Sequence, residues 1–247
     1  MRQQRRDGRR DRESAAAAEL EAWVPKTALG KKVKSGEITS IDEILDKGMK
    51  ILEPQIVSKL LPDLKEEVLD IRNTQRMTAS GRKQKMEAVV ALGNKHGYIA
   101  LGMGKAVESR DAIAEAISNA KKHIMRVRLG CGSWECGCGT EHTVPREVVG
   151  KSSSTMIIIR PAPRGVGLVA GGNTKKVLAL AGISDAWTFA KGRTRNVLNM
   201  ILATMSALDS LNSLKAGKGE NLYGNYAKKS AIQEPVAAEV AEGKAPE

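Results

Sequence analysis

Aromatic side chains are scarce: they are 3% of the 247 residues, with a single Phe. The core must therefore be built from Ala, Val, Ile, Leu and Met. A base-stacking platform of the single-strand-binding kind is disfavoured for the same reason. Cysteine is also rare. Cys131, Cys136 and Cys138 are the only three, and they fall close together. Such clustering suggests metal binding or free thiols and not a disulfide framework. No window holds the ~18 uninterrupted apolar residues that a membrane span needs. The most apolar stretch, Val197 to Leu211, is broken by Asn199, Ser206 and Asp209. The N-terminus has six arginines in its first twelve residues but no apolar segment behind them, so it does not read as a secretory signal. A cytoplasmic protein is expected.

Negative charge is short as well. The chain has 28 Asp+Glu against 40 Lys+Arg, a formal charge of +12. That excess favours a polyanion, either nucleic acid or an acidic membrane surface. Membrane is the poorer choice, because no amphipathic segment gathers the cations opposite large apolar residues. Hydrophobic residues make up 41%, enough for one large domain or two small ones.

Residues 1–39 read as a basic extension and residues 216–247 as a flexible, mixed-charge tail. Between them lie two expected domains, 40–128 and 129–215. Ser40-Ile-Asp-Glu43 has capping-box form, with the Ser hydroxyl accepting from the Glu43 N–H and the Glu side chain reaching back. Ile41, Ile44, Leu45 and Leu52 continue at helical spacing until Pro54. A short helix covers about Gln55 to Leu61. Strands are expected over Val68–Met77, Lys85–Leu92 and Tyr98–Met103, the last two joined by the turn Gly93–Gly97. An amphipathic helix over Ser109–Val127 follows, its inner face made of Ile113, Ala116, Ile117, Ala120 and Ile124. This α-β-β-β-α order is that of double-stranded-RNA-binding domains. The second domain reads as β-β-α-β-α. Its strands are Val144–Lys151, Thr155–Arg160 and Ala186–Ala190, and its helices Asn173–Ala181 and Thr194–Leu211. In the last helix Val197, Leu198, Ile201, Leu202, Met205 and Leu208 form the apolar stripe. The fold class is α+β in both parts.

Several constellations bear on chemistry. Between the first two strands a basic loop runs from Arg76 to Lys85, with Ser80 and Gly81 beside Arg82 and Lys83. Its small residues let the backbone approach a phosphate, and its cations supply the attraction. Gly102-Met-Gly104-Lys105 resembles part of a phosphate loop, but Ala106 stands where a Walker hydroxyl belongs. It is read as a tight turn with Lys105 on RNA phosphate. Lys121 and Lys122 at one helix end, and Arg193 and Arg195 at another helix start, are further phosphate seats. Thr194 is the expected cap there. Arg160 and Arg164 could equally serve a protein neighbour. Cys131, Cys136, Cys138 and His142 could supply a tetrahedral structural zinc site. The spacing is not the common C-x2-C pair, so free or buried thiols remain the alternative. No cofactor is otherwise required. The Gly-rich Pro161–Gly172 segment faintly resembles the phosphate loop of small-molecule kinases, but it lacks their Ser-Ser pair. No nucleophile or acid-base set accompanies His96 or His123, and no enzyme is expected.

Taken together, these stretches resemble the small-subunit ribosomal protein five family in its archaeal and eukaryotic branch. The matching runs are Gln75–Lys83, Gly97–Ala106, Gly130–Gly139, His142–Pro145, Arg160–Leu168, Leu180–Ile183 and Asn196. The resemblance implies an rRNA-binding structural protein that contacts 16S-type rRNA. It implies ribosomal proteins four and eight as neighbours, a position where mRNA enters, and an influence on decoding accuracy. It also implies that the Ser80-Gly81-Arg82 segment reaches into the head-to-body hinge of the rRNA. Met86 departs from an aromatic common in the family, which implies altered core packing. The rival readings are a double-stranded-RNA regulator outside the ribosome and, remotely, a kinase of related fold.

Overall fold

A computed structural model describes residues 23–213. The Arg-rich start and the 216–247 tail lie outside the described residues. The chain forms two compact units. One runs to Asn94 and resumes over Ala100–Met125. The other comprises Lys95–Ile99 and the described chain from Arg126 onward. Each unit has its own four-stranded sheet, so the α+β class holds in both.

The first unit opens with helix α1, Ala28–Ser35, in a stretch expected as basic extension. Thr27 caps it by accepting from the Gly30 N–H, and Gly36 at φ +86° ends it. Glu53 anchors this start: its carboxylate accepts from Trp23 Nε1 at 2.9 Å and from the Thr27 N–H at 2.6 Å. Helix α2 is only Ile41–Asp46. The expected continuation to Leu52 fails, because Gly48 at φ +61° turns the chain and Leu52 is exposed. Pro54 does not stop a helix but starts α3, Pro54–Leu60, where a missing N–H costs nothing. The capping box is also altered: Ser40 makes no cap bond, and its hydroxyl donates to Glu43 Oε1 instead.

The sheet follows in the order β1 (Lys65–Thr78), β2 (Gly81–Gly93), β3 (Tyr98–Ala106), β4 (Ile124–Arg126). Helix α4, Ser109–Lys122, covers it. Two expectations change here. The helix stops at Lys122, and Ile124 is buried in a fourth strand rather than on a helix face. The buried helix face is made of Ala112, Ala116 and Ala120, with Ile113 and Ile117 at its margin. The reason lies in β3. A Cβ on Gly102 would sit 2.0 Å from the Ala116 carbonyl, and one on Gly104 2.3 Å from that of Ala112. Helix and strand backbones touch, so only small residues fit between them. Gly102-Met103-Gly104 is therefore a strand packed under a helix and not a turn.

The second unit orders its strands β5-β6-β8-β7. These are β5 (Val148–Ser152), β6 (Thr155–Pro161), β7 (Leu168–Val169) and β8 (Ala186–Gly192). The two-residue β7 lies inside the segment expected as a loop and runs parallel to β8. Parallel neighbours need a crossover, supplied by α5, Gly172–Ala181. The final helix α6, Val197–Ser210, is capped by Asn196 and not by Thr194. It lies on β5 by the same device as in the first unit, since a Cβ on Gly150 would be 2.0 Å from the Ala203 carbonyl. Its buried set, Ile201, Ala203, Thr204, Met205, Ala207 and Leu208, is shifted from the expected stripe: Val197, Leu198 and Leu202 are only half-buried, and Ala203, Thr204 and Ala207 take their place.

Candidate functional site

The basic loop is a β-ribbon. β1 and β2 pair without interruption from Asp70↔Val89 to Thr78↔Gly81, leaving only Ala79 and Ser80 as the turn. Two-residue turns suit the twist of paired strands, and Gly81 takes a φ of +122° that other residues rarely adopt. The Thr78 hydroxyl donates to the Gly81 carbonyl at 2.7 Å and closes the tip. From Gln75 to Lys85 every residue is exposed. The sequence hid this because a ribbon bare on both faces lacks the apolar alternation that marks a strand.

Pairing fixes which cations share a face. Arg76 lies opposite Lys83 and Thr74 opposite Lys85, so Arg76, Lys83 and Lys85 share one face. Arg82, opposite the exposed Met77, occupies the other. Like charges directly opposite each other oppose pairing, and a phosphate between them removes that penalty. Ser80 and Gly81 at the tip let a backbone come near.

The first face continues down the ribbon to Arg72, opposite Glu87. Glu87 is buried, and Arg72 Nε donates to its Oε2 at 2.7 Å, with Lys105 Nζ 3.4 Å from Oε1. The Arg72 hydrogen bond holds the Glu87 carboxyl below its ordinary range against the opposing effect of burial. The charges of Arg72 and Lys105 act in the same direction. Lys105 is thus a structural counter-ion first. Arg72 and Glu87 form a structural ion pair at the ribbon's root that the sequence alone did not single out. A Glu inside an apolar run was the available signal, since an unpaired buried carboxylate is rare. Met86 is half-buried opposite Asn73 at the ribbon's root and not in the core.

The remaining basic candidates are dispersed. Lys121 donates to Ser58 Oγ at 2.9 Å and Lys122 to Asn119 Oδ1 at 3.3 Å, both partly buried. Arg193 and Arg195 are exposed in the turn before α6. Arg160 pairs with Glu147 at 2.9 Å and sits 5.1 Å from the centre of the Phe189 ring.

In the second unit the chain between Gly130 and Thr143 forms a closed excursion. Its ends pair as an isolated bridge, with the Gly130 N–H donating to the Thr143 carbonyl at 2.9 Å. Gly132 is required there, because a Cβ would lie 2.1 Å from the Pro145 carbonyl. The Sγ atoms of Cys131, Cys136 and Cys138 and a His142 nitrogen all lie within 4.8 Å of one another. Cys138 Sγ is 3.6 Å from Cys131 Sγ, and Cys136 Sγ is 3.6 Å from His142 Nε2. A zinc tetrahedron with bonds of about 2.3 Å has edges of about 3.8 Å. Burial pushes the Cys131 thiol up to about 12, with the neighbouring thiols adding to it. Burial also acts upward on Cys138, but hydrogen bonds from Thr140 and the other thiols outweigh it and bring the group to about 6. His142 Nδ1 lies 2.8 Å from Asp185 Oδ2, which directs Nε2 to the sulfurs. Three sulfurs and one imidazole fill a four-ligand tetrahedron, which suits a structural zinc ion and not a catalytic one. Asp185 is 43 positions from His142, so spacing could not reveal it.

The glycine segment does not offer itself to a nucleotide. The Gly165 and Gly167 amides donate to Asp185 Oδ1 at 3.1 and 2.7 Å, so the protein's own carboxylate occupies the place of a phosphate.

Comparison with known proteins supplies the family. Residues 64–128 match the family model described as ribosomal protein S5, N-terminal domain, and residues 150–220 its C-terminal domain. The chain is 52% identical over 204 residues to the small ribosomal subunit protein uS5 of Methanoregula boonei, covering 83% of this chain and 100% of that one. It is 55% identical over 193 residues to the uS5 of Methanocaldococcus jannaschii, covering 78% and 89%. With the uS5 of Methanocorpusculum labreanum it shares 54% over 201 residues, covering 81% and 98%.

Proposed function

The chain belongs to the ribosomal protein S5 family, and from that premise we propose that it is a structural, non-enzymatic constituent of the small ribosomal subunit that binds 16S-type rRNA. The observation that carries the binding mode is the exposed ribbon. Arg76, Lys83 and Lys85 share one face, Arg82 lies on the other, and no acidic residue occurs between Gln75 and Lys85. A ribbon with no core of its own gains its fixed place from what it enters, and bare cations on both faces suit a cleft between phosphates. Arg193 and Arg195 add a separate seat, while Lys105, Lys121 and Lys122 contribute what their internal partners leave free. Ribosomal proteins four and eight as neighbours, a place where mRNA enters and support of decoding accuracy complete the reading, with the cytoplasmic ribosome as its location.

The Cys131, Cys136, Cys138 and His142 cluster holds structural zinc in this reading. Metal there would supply cross-linking of the 130–143 excursion and no chemistry on a substrate.

Co-sedimentation tests the assignment. The protein should remain with small subunits through moderate salt. Quantitative release at salt that leaves other subunit proteins bound would favour a free RNA-binding regulator. Turnover of ATP by the pure protein would revive the kinase.

A further inference from the structure

Asp185 is buried, and its carboxylate takes three donors from two directions. Oδ2 faces His142 Nδ1 at 2.8 Å. Oδ1 accepts from the Gly165 and Gly167 amides at 3.1 and 2.7 Å. Those amides converge because Gly165 and Gly167 adopt φ of +94° and +74°, a left-handed geometry that turns alternate N–H groups toward one anion. The surrounding backbone strengthens the link. The Ser184 and Asp185 N–H groups donate to the His142 carbonyl at 2.9 and 3.1 Å, and the Ala162 N–H lies 3.4 Å from Thr143 Oγ1. The loop between these anchors, Pro163 to Gly167, carries the exposed Arg164 and Val166.

We infer that Asp185 couples the Cys131–Cys136–Cys138–His142 cluster to the Pro163–Gly167 loop, so that zinc in the cluster fixes that loop and the Arg164 it presents. This rests on the zinc reading above. A metal on Nε2 leaves the ring proton on Nδ1, where it must be donated. Asp185 accepts it, and the orientation this imposes on the carboxylate keeps Oδ1 aimed at the two glycine amides. Without metal the Asp185 contact alone orients the ring, no ligand on Nε2 fixes the tautomer, and the clamp on the loop is looser. Asp185 is thus a positioning residue for both sites.

The test is amide hydrogen exchange on the full chain, stripped by a chelator and then given one equivalent of zinc, with bound zinc measured in parallel. Zinc should slow exchange at Gly165 and Gly167 by about tenfold or more while Ile157 and Phe189 change little. In Asp185→Asn, zinc affinity should fall by about 10- to 100-fold, and loop exchange should become fast and indifferent to zinc. Stoichiometric zinc with unchanged Gly165 and Gly167 exchange would overturn the coupling and leave the metal site standing. Slowing spread equally over Ile157 and Phe189 would overturn it as well, because the metal would then support the whole unit. Failure to take up zinc would overturn both.

Discussion

The ribbon and the 130–143 excursion are both departures from a sheet-and-helix body, and they are held in opposite ways. The ribbon has a backbone ladder, a two-residue turn and almost no side-chain contacts at its tip. The excursion has little ladder, and four buried or half-buried side chains converge inside it. Their charges differ equally. Residues 75–85 contain four cations and no acid, whereas residues 130–143 contain Glu135 and Glu141 and no Lys or Arg. On the reading proposed above, the ribbon enters a polyanion, keeps its cations bare and takes its final order from that partner, while the excursion would be cross-linked by its own zinc. Perturbing each should therefore affect different measurements.

The largest loss of stability is expected in neither segment but where helix meets strand. Gly102→Ala and Gly150→Ala each place a methyl about where a helix carbonyl now lies. Thermal unfolding should show a cost of about 3 kcal/mol or more. A loss near zero would mean the helices can lift at little cost. Next comes the excursion. Cys136→Ser should abolish stoichiometric metal and expose the 130–143 amides to exchange, with no change in the ribbon's ladder. Glu87→Gln follows, at about 1–3 kcal/mol near neutral pH, because it disturbs a buried charged hydrogen bond. The sign with pH is fixed by the lowered Glu87 pKa. Its contribution is complete above the unfolded-state value and is lost as pH falls through the folded one. Stability of the wild type should therefore fall more steeply in acid than that of Glu87→Gln. Parallel acid limbs would remove Glu87 from the account. Smallest is the ribbon. Neutralising Arg76, Arg82, Lys83 and Lys85 together should move stability by no more than about 0.5 kcal/mol per site.

Much of this was legible in the sequence because apolar spacing and local motifs report local structure. The helices over Ser109–Lys122 and Gly172–Ala181, the hairpin around Asn94 and the proximity of Cys131 to His142 all follow from neighbours along the chain. The rest depended on distant partners. Ile124 fits the helical spacing from Ala120, and only its pairing in the sheet makes it a strand residue. The ribbon read as a loop because solvent on both faces erases alternation. Gly102 read as part of a tight turn and Gly150 as an ordinary strand position, yet each is the floor on which a helix lies. Asp185 gave no signal, since nothing near it in sequence is a ligand.

The most direct test of the ribbon's role is the salt dependence of rRNA binding by the variant carrying Arg76→Ala, Arg82→Ala, Lys83→Ala and Lys85→Ala. Each lost phosphate contact lowers the slope of log K against log salt by about 0.7–0.9. The account predicts a slope shallower by about 3, with the fold and the zinc content unchanged. An unchanged slope from a folded variant would contradict it and move the phosphate contacts elsewhere on the protein.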